Sequence, residues 1–318
     1  MSPPEDPVAA RLAAGAFLLI DKPRGPSSHQ VTAWARDLLG VDRAGHAGTL
    51  DPNVSGLLWV GVGPALKLLP LVLDFPKRYI GVVAFHGPVA PRELARVLEE
   101  FTGPVYQTPP VRSAVKRERR VRTIHRLTLR ETEGTRALLD VVADSGTYIR
   151  TLAVDLGEAL GVGAHLEELR RTATGPFDET QSVPLTVLAD AVARRAAGDP
   201  APLLGLLHPI EEVWREFPTV VLKDAAASAV AHGAGLARGG ILAVPRAFAA
   251  GAHVALVDRA GSLVATGVAR HASGELGAVP HGWVVDDTRV FVDPARFPAR
   301  WQAARPARRT PAADVAPR

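Results

Sequence analysis

Gly45-His46-Ala47-Gly48-Thr49-Leu50-Asp51-Pro52 is the stretch on which the reading of this chain turns. Two glycines break the backbone ahead of Asp51, and glycine reaches conformations that other residues avoid. Pro52 disfavours helical backbone at Asp51 and pushes it toward an extended or turn conformation. The segment can therefore present one carboxylate from a loop, where catalytic groups are often held. Taken alone, most such aspartates are turn-formers or helix caps. What changes the reading is the company this one keeps.

Upstream, residues 16–20 form an apolar run that Asp21-Lys22-Pro23-Arg24-Gly25-Pro26 interrupts, a strand entering a rigid loop. Ser27 or Ser28 can cap the helix that follows. There Val31, Trp34, Ala35, Leu38 and Leu39 recur at helical spacing until Gly40. Downstream, residues 57–62 and 79–85 read as strands, and Pro91 opens a helix with Leu94, Val97, Leu98 and Phe101 as its apolar face. A basic segment then leads to a strand at 138–143. The turn Asp144-Ser145-Gly146 precedes a helix at about 152–160, and residues 165–171 read as a further short helix. A helix at 185–197 closes this part. From Phe217 the texture changes to short segments: strands at 219–222, 241–244, 254–257, 263–269, 283–285 and 290–292, with a small helix at 224–232. Asp258-Arg259-Ala260-Gly261 is a plausible hairpin turn.

The fold class expected is mixed α+β. A domain at 10–216 has a mixed sheet and peripheral helices, and a small β-barrel-like module occupies 217–297. The tail, 302–318, is Ala/Pro/Arg-rich and expected to be disordered. With 318 residues and 47% hydrophobic content the chain can bury a real core. The absence of cysteine excludes disulfides, thiolate catalysis and cysteine-based zinc sites. The first residues do not read as a signal peptide, and no run of 18 apolar residues suggests a membrane span, so a cytoplasmic setting is expected.

The net charge of +4 is modest, but its distribution is not. Residues 112–126 hold Arg112, Lys116, Arg117, Arg119, Arg120, Arg122 and Arg126 against Glu118 alone. Of 37 basic residues only Lys22, Lys67, Lys77, Lys116 and Lys223 are lysine. Arginine suits bidentate contact with phosphate. A compositional bias toward arginine explains part of this, but not the clustering, which points to nucleic acid.

Four segments together resemble the pseudouridine synthases of the TruB/dyskerin family, and most of all its archaeal dyskerin branch. They are Asp21 to His29, the Gly45 to Pro52 motif, Ser145-Gly146-Thr147-Tyr148-Ile149-Arg150-Thr151-Leu152, and Gly163-Ala164-His165-Leu166-Glu167-Glu168-Leu169-Arg170-Arg171. Tyr106-Gln107-Thr108-Pro109-Pro110 with Ser113-Ala114-Val115-Lys116 is a fifth. Val230-Ala231-His232-Gly233-Ala234 and Arg238-Gly239-Gly240-Ile241 are similar to that family's PUA domain. The resemblance spans about residues 16–301.

The resemblance implies an enzyme that isomerises uridine to pseudouridine within RNA, rRNA and possibly tRNA, without a cofactor or a metal. By it, Asp51 is the catalytic carboxylate, acting as a nucleophile or as a proton acceptor. Tyr79 matches the aromatic that stacks on the flipped base, against the plainer fate of a half-buried strand tyrosine. Arg150 matches the arginine that pairs with the aspartate, and a guanidinium there favours the ionised carboxylate. Leu169 matches a pocket-lining apolar residue, a place that ordinary helix packing would also give it. His46 matches a position that helps flip the base in some relatives, or is a hydrogen-bonding spacer. Lys22 supports the fold or a phosphate. With Arg112, Lys116, Arg117, Arg119 and Arg120 it makes the expected RNA-binding set.

Ser113-Ala114-Val115-Lys116 is followed by a short basic loop where stand-alone relatives carry a long insertion. By resemblance this implies the guide-dependent branch: the catalytic subunit of an H/ACA ribonucleoprotein with guide RNA and substrate RNA. Its partners would be a glycine-arginine-rich subunit, a small zinc-ribbon-type subunit and a kink-turn-binding ribosomal-type protein. A stand-alone synthase for the T-arm of tRNA and a catalytically silent RNA-binding scaffold are the alternatives. The segment before the first motif is shorter than in many archaeal relatives, Ala47 stands where serine or threonine is frequent, and Ala249-Ala250-Gly251-Ala252 is less charged than its counterparts.

Overall fold

The computed structural model describes residues 6–108, 118–279 and 281–297. Two compact units divide between Trp214 and Arg215. The first runs α1 (Pro7–Ala14), β1 (Ala16–Lys22), α2 (Ser28–Leu39), β2 (Ala44–Ala47), β3 (Ser55–Val62), α3 (Leu69–Asp74), β4 (Lys77–Phe85), α4 (Pro91–Glu100), β5 (Gly103–Gln107), β6 (Arg120–Glu133), β7 (Arg136–Ala143), α5 (Ile149–Ala159), β8 (Ala164–Thr174), β9 (Phe177–Asp178), α6 (Leu185–Ala196), α7 (Ala201–Leu206), β10 (His208–Pro209) and α8 (Glu211–Trp214). Its strands make a mixed sheet in the order β10-β1-β3-β8-β4-β7-β6-β5, with β2 on β3 and β9 on β8. Among the described residues no helix is long and apolar enough to cross a membrane.

Among the described residues, two of the apolar clusters on this sheet bear on the site. Leu18, Ile20, Leu58 and Val60 of β1 and β3 pack with Val31, Ala35 and Leu39 of α2 and Leu188 of α6. Val83, Ile124, Leu139 and Val141 of the other strands pack with α4 and α5 through Leu94, Val97, Leu152 and Leu156. Alternation along the strands and the 3.6-residue period of the helices supply these faces. The buried stripe of α2 is Val31, Ala35 and Leu39. Trp34 lies to one side of it and is 42% exposed, contrary to its expected place in the core. The two half-sheets meet where β3 and β8 run parallel, with Ser55 opposite Arg170 and Gly56 opposite Arg171. Backbones approach so closely there that a Cβ on Gly56, at φ +103°, would lie 2.2 Å from the Arg171 carbonyl oxygen.

Two sequence expectations fail here for the same reason. The short helix expected at 165–171 is strand β8. Leu166 and Leu169 are three residues apart, which imitates a helix. The register with β4 slips between Val82, opposite Glu168, and Val83, opposite Leu166, leaving Glu167 as an extra residue. A bulge of this kind turns a period of two into three and keeps both leucines on one face. The basic segment likewise does not end as a loop: from Arg120 it is the 14-residue strand β6. Slips at Ile124/Arg126 and Leu129/Glu131 break its alternation, so its inward residues Ile124, Leu127 and Leu129 gave no regular pattern.

The second unit holds β11 (Thr219–Leu222), α9 (Asp224–Ala231), β12 (Leu236–Ala237), β13 (Ile241–Ala243), β14 (His253–Val257), β15 (Leu263–Ala269) and β16 (Trp283–Val290). The sheet order is β12-β16-β15-β14-β11-β13, a barrel-like arrangement around Val220, Leu222, Val254, Leu256 and Val264, with Val230 of α9 against them. In place of the two strands expected at 283–285 and 290–292 there is one strand, β16, which runs through 283–285 and ends at Val290. Its pattern is interrupted by Asp287 at φ +47° and by a register slip against Thr266/Val268. The tail expected to be disordered, 302–318, lies outside the described residues.

Candidate active site

The motif loop joins β2 to β3, which pair with His46 opposite Val60 and Ala47 opposite Trp59. Gly48 leaves the strand at φ +70°, a conformation that suits glycine. Asp51 to Val54 forms a turn closed by the Val54 amide on the Asp51 carbonyl at 3.0 Å, with Pro52 in the position where its fixed φ fits.

Three groups clamp this loop from below. The Ser28 hydroxyl donates to the Leu50 carbonyl at 2.9 Å, and the Leu50 amide donates back to the same oxygen at 2.8 Å. The Gly25 amide donates to the Pro52 carbonyl at 2.8 Å. The Lys22 ammonium donates to the carbonyls of Pro23 at 2.8 Å and Pro52 at 3.3 Å. The Asp21 to His29 segment is therefore the floor of the Asp51 loop, while Ser27 caps α2 by accepting from the Gln30 amide at 3.1 Å. This corrects one expectation. Lys22 is fully buried, and desolvation pushes its pKa down, so it braces the loop and does not reach an RNA phosphate.

With Leu50 and Val54 buried, the Asp51 side chain stays about half exposed, and Arg150 Nη2 donates to its Oδ2. Arg150 is the second residue of α5, carried in from the other half-sheet. A half-exposed ion pair contributes only about 0–1 kcal/mol to stability. Stability is thus a weak reason for this pair; what it does is fix the orientation of a half-exposed carboxylate.

Arg171, to which the sequence reading gave no role, lies beneath. It is almost wholly buried on β8, donating from Nε to the Leu57 carbonyl at 2.8 Å and from Nη2 to the Gly48 carbonyl at 2.7 Å. Burial pushes its pKa down, opposed by the neighbouring Tyr79. Tyr79 sits directly opposite it on β4. Arg171 thus lies between the half-buried Tyr79 and the backbone three residues before Asp51, to which it is bonded. Leu169, two residues along β8, is half-buried and packs against both cores. It is a strand residue at the seam, not a helix residue.

His46 faces a groove of about 440 Å³ with His29, Thr32, Arg36 and Thr49. Its Nδ1 is 3.1 Å from the Thr32 hydroxyl and its Nε2 is 3.2 Å from that of Thr49. Burial, then His29 and Arg171, push its pKa below the usual 6.5. Arg119 and Arg120 are exposed at the start of β6, Arg119 stacking over Tyr106 at 4.4 Å. Arg112, Lys116 and Arg117 lie outside the described residues. Among the described residues no group of three or more His, Cys, Asp or Glu side chains could hold a metal ion.

The profile of the TruB family pseudouridylate synthase N-terminal domain matches residues 36–149. That of the tRNA pseudouridylate synthase B C-terminal domain matches 150–214, and that of the PUA domain 218–291. A probable tRNA pseudouridine synthase B of Methanothermobacter thermautotrophicus is 42% identical over 301 residues, covering 94% of this chain and 93% of that protein. One of the same name from Methanopyrus kandleri is 41% identical over 301 residues, covering 94% and 89%. Among solved structures, a Cbf5-Nop10-Gar1 complex contains a chain that superposes with a TM-score of 0.85 at 37% identity, covering 94% of this chain and 93% of that one. An H/ACA RNP bound to a substrate RNA containing 2′-deoxyuridine gives a TM-score of 0.80 at 36% identity, covering 93% and 90%. With the motif aspartate paired to an arginine over a barrel-bearing chain of this architecture, the chain belongs to the TruB family and is an RNA pseudouridine synthase with a C-terminal PUA domain.

Proposed function

We propose that Asp51 is the catalytic carboxylate and that this chain works as the catalytic subunit of a guide-RNA-directed complex of the H/ACA type. The reaction breaks the N1–C1′ bond of uridine, turns the base and forms a C5–C1′ bond, while the C5 proton leaves and N1 gains one. No atoms are gained or lost. Asp51 acts on the sugar or base of the flipped nucleotide, as nucleophile or proton acceptor, and Arg150 holds its carboxylate in place. Tyr79 stacks on the displaced base, an interaction worth about 1–3 kcal/mol that offsets much of the unstacking cost. Leu169 lines the pocket beside it. His46 helps to flip the base, its ring fixed by two hydroxyl neighbours.

The observation that carries the site is the Arg150–Asp51 pair, made by residues 99 positions apart and of little use to stability. Guide dependence rests on near full-length likeness to a chain that the solved structures hold with Nop10, Gar1 and H/ACA RNA. The same partner classes are proposed here, with the PUA unit at the guide's end and Arg112, Lys116, Arg117, Arg119 and Arg120 on RNA backbone. A cytoplasmic setting belongs to the same proposal. A stand-alone action on tRNA is the second reading, favoured by the names of the curated relatives.

One reconstitution separates these readings. The purified chain is given T-arm tRNA or a guide-paired substrate, with and without guide RNA and the partner proteins, and pseudouridine is mapped. Modification of the paired uridine only in the complete mixture is expected. Efficient T-arm modification by the lone chain supports the stand-alone reading, and no product with every component present supports a silent scaffold.

A further inference from the structure

Arg150 can meet Asp51 only if α5 begins in the right place, and α5 lacks a side-chain cap of its own. Its N-cap residue is Tyr148, in extended conformation at φ −96°, ψ 102°, with no capping hydrogen bond from its own side chain. The fixing comes from elsewhere. Gln107, the last residue of β5, is only 3% exposed. The Tyr148 amide donates to its Oε1 at 2.9 Å, and its Nε2 donates to the Tyr148 carbonyl at 3.1 Å. That carbonyl also accepts the first helical bond, from the Leu152 amide at 3.0 Å. One amide side chain therefore holds both backbone polar groups of the residue two positions before Arg150.

The turn before Tyr148 is tied to the same hairpin. The Asp144 carboxylate accepts from the Thr123 amide at 3.0 Å and lies 2.8 Å from His125 Nε2, both on β6. Asp144 also donates its own amide to the Thr123 carbonyl at 2.9 Å. The β5–β6 hairpin and the start of α5 thus form one braced assembly, with Gln107 as the tie nearest to Arg150. A buried amide making two complementary bonds to a single backbone residue fixes orientation as well as distance.

We infer that Gln107 is a positioning residue for the isomerisation: it sets the placement of Arg150 against Asp51 by locking the Tyr148 backbone. It touches neither the substrate nor the ion pair. The inference rests on the reading of Asp51 and Arg150 given above. It goes beyond that reading in assigning a role to a side chain on an edge strand, and in linking the substrate-side hairpin to the geometry of the reacting carboxylate.

The test uses the full chain in its active assembly. Gln107→Leu keeps the volume and removes both bonds. Its single-turnover rate at saturating protein should fall at least about tenfold while the Kd for RNA stays within about twofold, the pattern of a group acting in the transition state. An unchanged rate at a temperature where circular dichroism shows the variant folded would overturn the inference, and so would a loss confined to RNA affinity. Gln107→Glu is the second variant, for the case that the leucine chain does not fold. An ionised carboxylate still accepts from the Tyr148 amide but repels its carbonyl, whereas a neutral carboxyl can donate to it. The rate of this variant relative to wild type should therefore rise as pH is lowered, and a pH-independent ratio overturns the role. A crystal structure of either folded variant gives a readout independent of turnover: Arg150 should be displaced from Asp51, and an intact pair overturns the inference. Lack of product from the wild-type complex itself would instead count against the reading of the site.

Discussion

Arg171 and Gly48 are 123 residues apart in sequence, yet the Arg171 guanidinium donates to the Gly48 carbonyl at 2.7 Å from inside the protein. Its other hydrogen-bond partner is the Leu57 carbonyl, and Tyr79 lies opposite it on β4. A buried cation satisfied this way is a brace under the Asp51 loop. Arg171→Met should cost about 2–3 kcal/mol, since it leaves two buried carbonyls without their donor. Denaturant midpoints at constant slope measure this, and a change below about 0.5 kcal/mol would remove the brace from the account.

The proposed stacking role of Tyr79 belongs to its ring, while its hydroxyl is separable from that role and neighbours Arg171. Tyr79→Phe should retain most RNA affinity and lose activity modestly. Tyr79→Ala should lose about 1–3 kcal/mol of transition-state stabilisation with the stacking face. Single-turnover kinetics on both variants check this, and equal rates for the two would count against a stacking role.

Asp140 is fully buried on β7, where Arg78 binds it at 2.7–3.0 Å and Arg130 and Arg126 converge on it. The Arg78 hydrogen bond most of all, against opposing desolvation and with help from Arg130, holds its carboxyl well below the usual carboxylate range. A depressed folded pKa gives stability that is present above the unfolded value, 3.8, and is lost as pH falls through the folded value. Asp140→Asn should therefore cost about 1–3 kcal/mol at neutral pH, discounted because the arginines are half exposed. The gap between variant and wild type should hold down to about 3.8 and narrow only as pH falls below it toward the folded value. Urea titrations at several pH values test it, and a gap that does not narrow below that pH contradicts it.

His46 is held below its usual 6.5 by burial and by its neighbours His29 and Arg171. It should be neutral at pH 6.5, with one ring nitrogen donating and the other accepting between Thr32 and Thr49. Nitrogen-resolved NMR of the imidazole checks this. A doubly protonated ring at that pH would show that the groove is wetter than its contacts indicate.

The parts of this architecture legible in the sequence are those whose reasons are local. Ser27 and Gly40 bracket α2 by capping chemistry, Pro91 opens α4, and Gly48 marks the turn of the motif, whereas Gly45, expected to break the backbone, lies within β2. The aspartate and its arginine were readable because short motifs carry both. What was not legible depends on partners far away in sequence. β8 looked helical because bulges against β4 reset its period. Lys22 was open to either the fold or a phosphate because nothing local reveals that Pro52 will cover it. Ser28, Arg171 and Gln107 act by binding backbone atoms of distant segments, an interaction that leaves no trace in side-chain pattern.

The account stands most directly on Asp51→Asn, which keeps the size of the side chain and removes its charge. Pseudouridine formation should be measured in single turnover, with RNA affinity determined on the same preparation. The prediction is loss of product by at least about 10⁴-fold, with affinity unchanged within about twofold, because the carboxylate acts only on the reacting nucleotide. Turnover at the wild-type rate by the asparagine variant would contradict it.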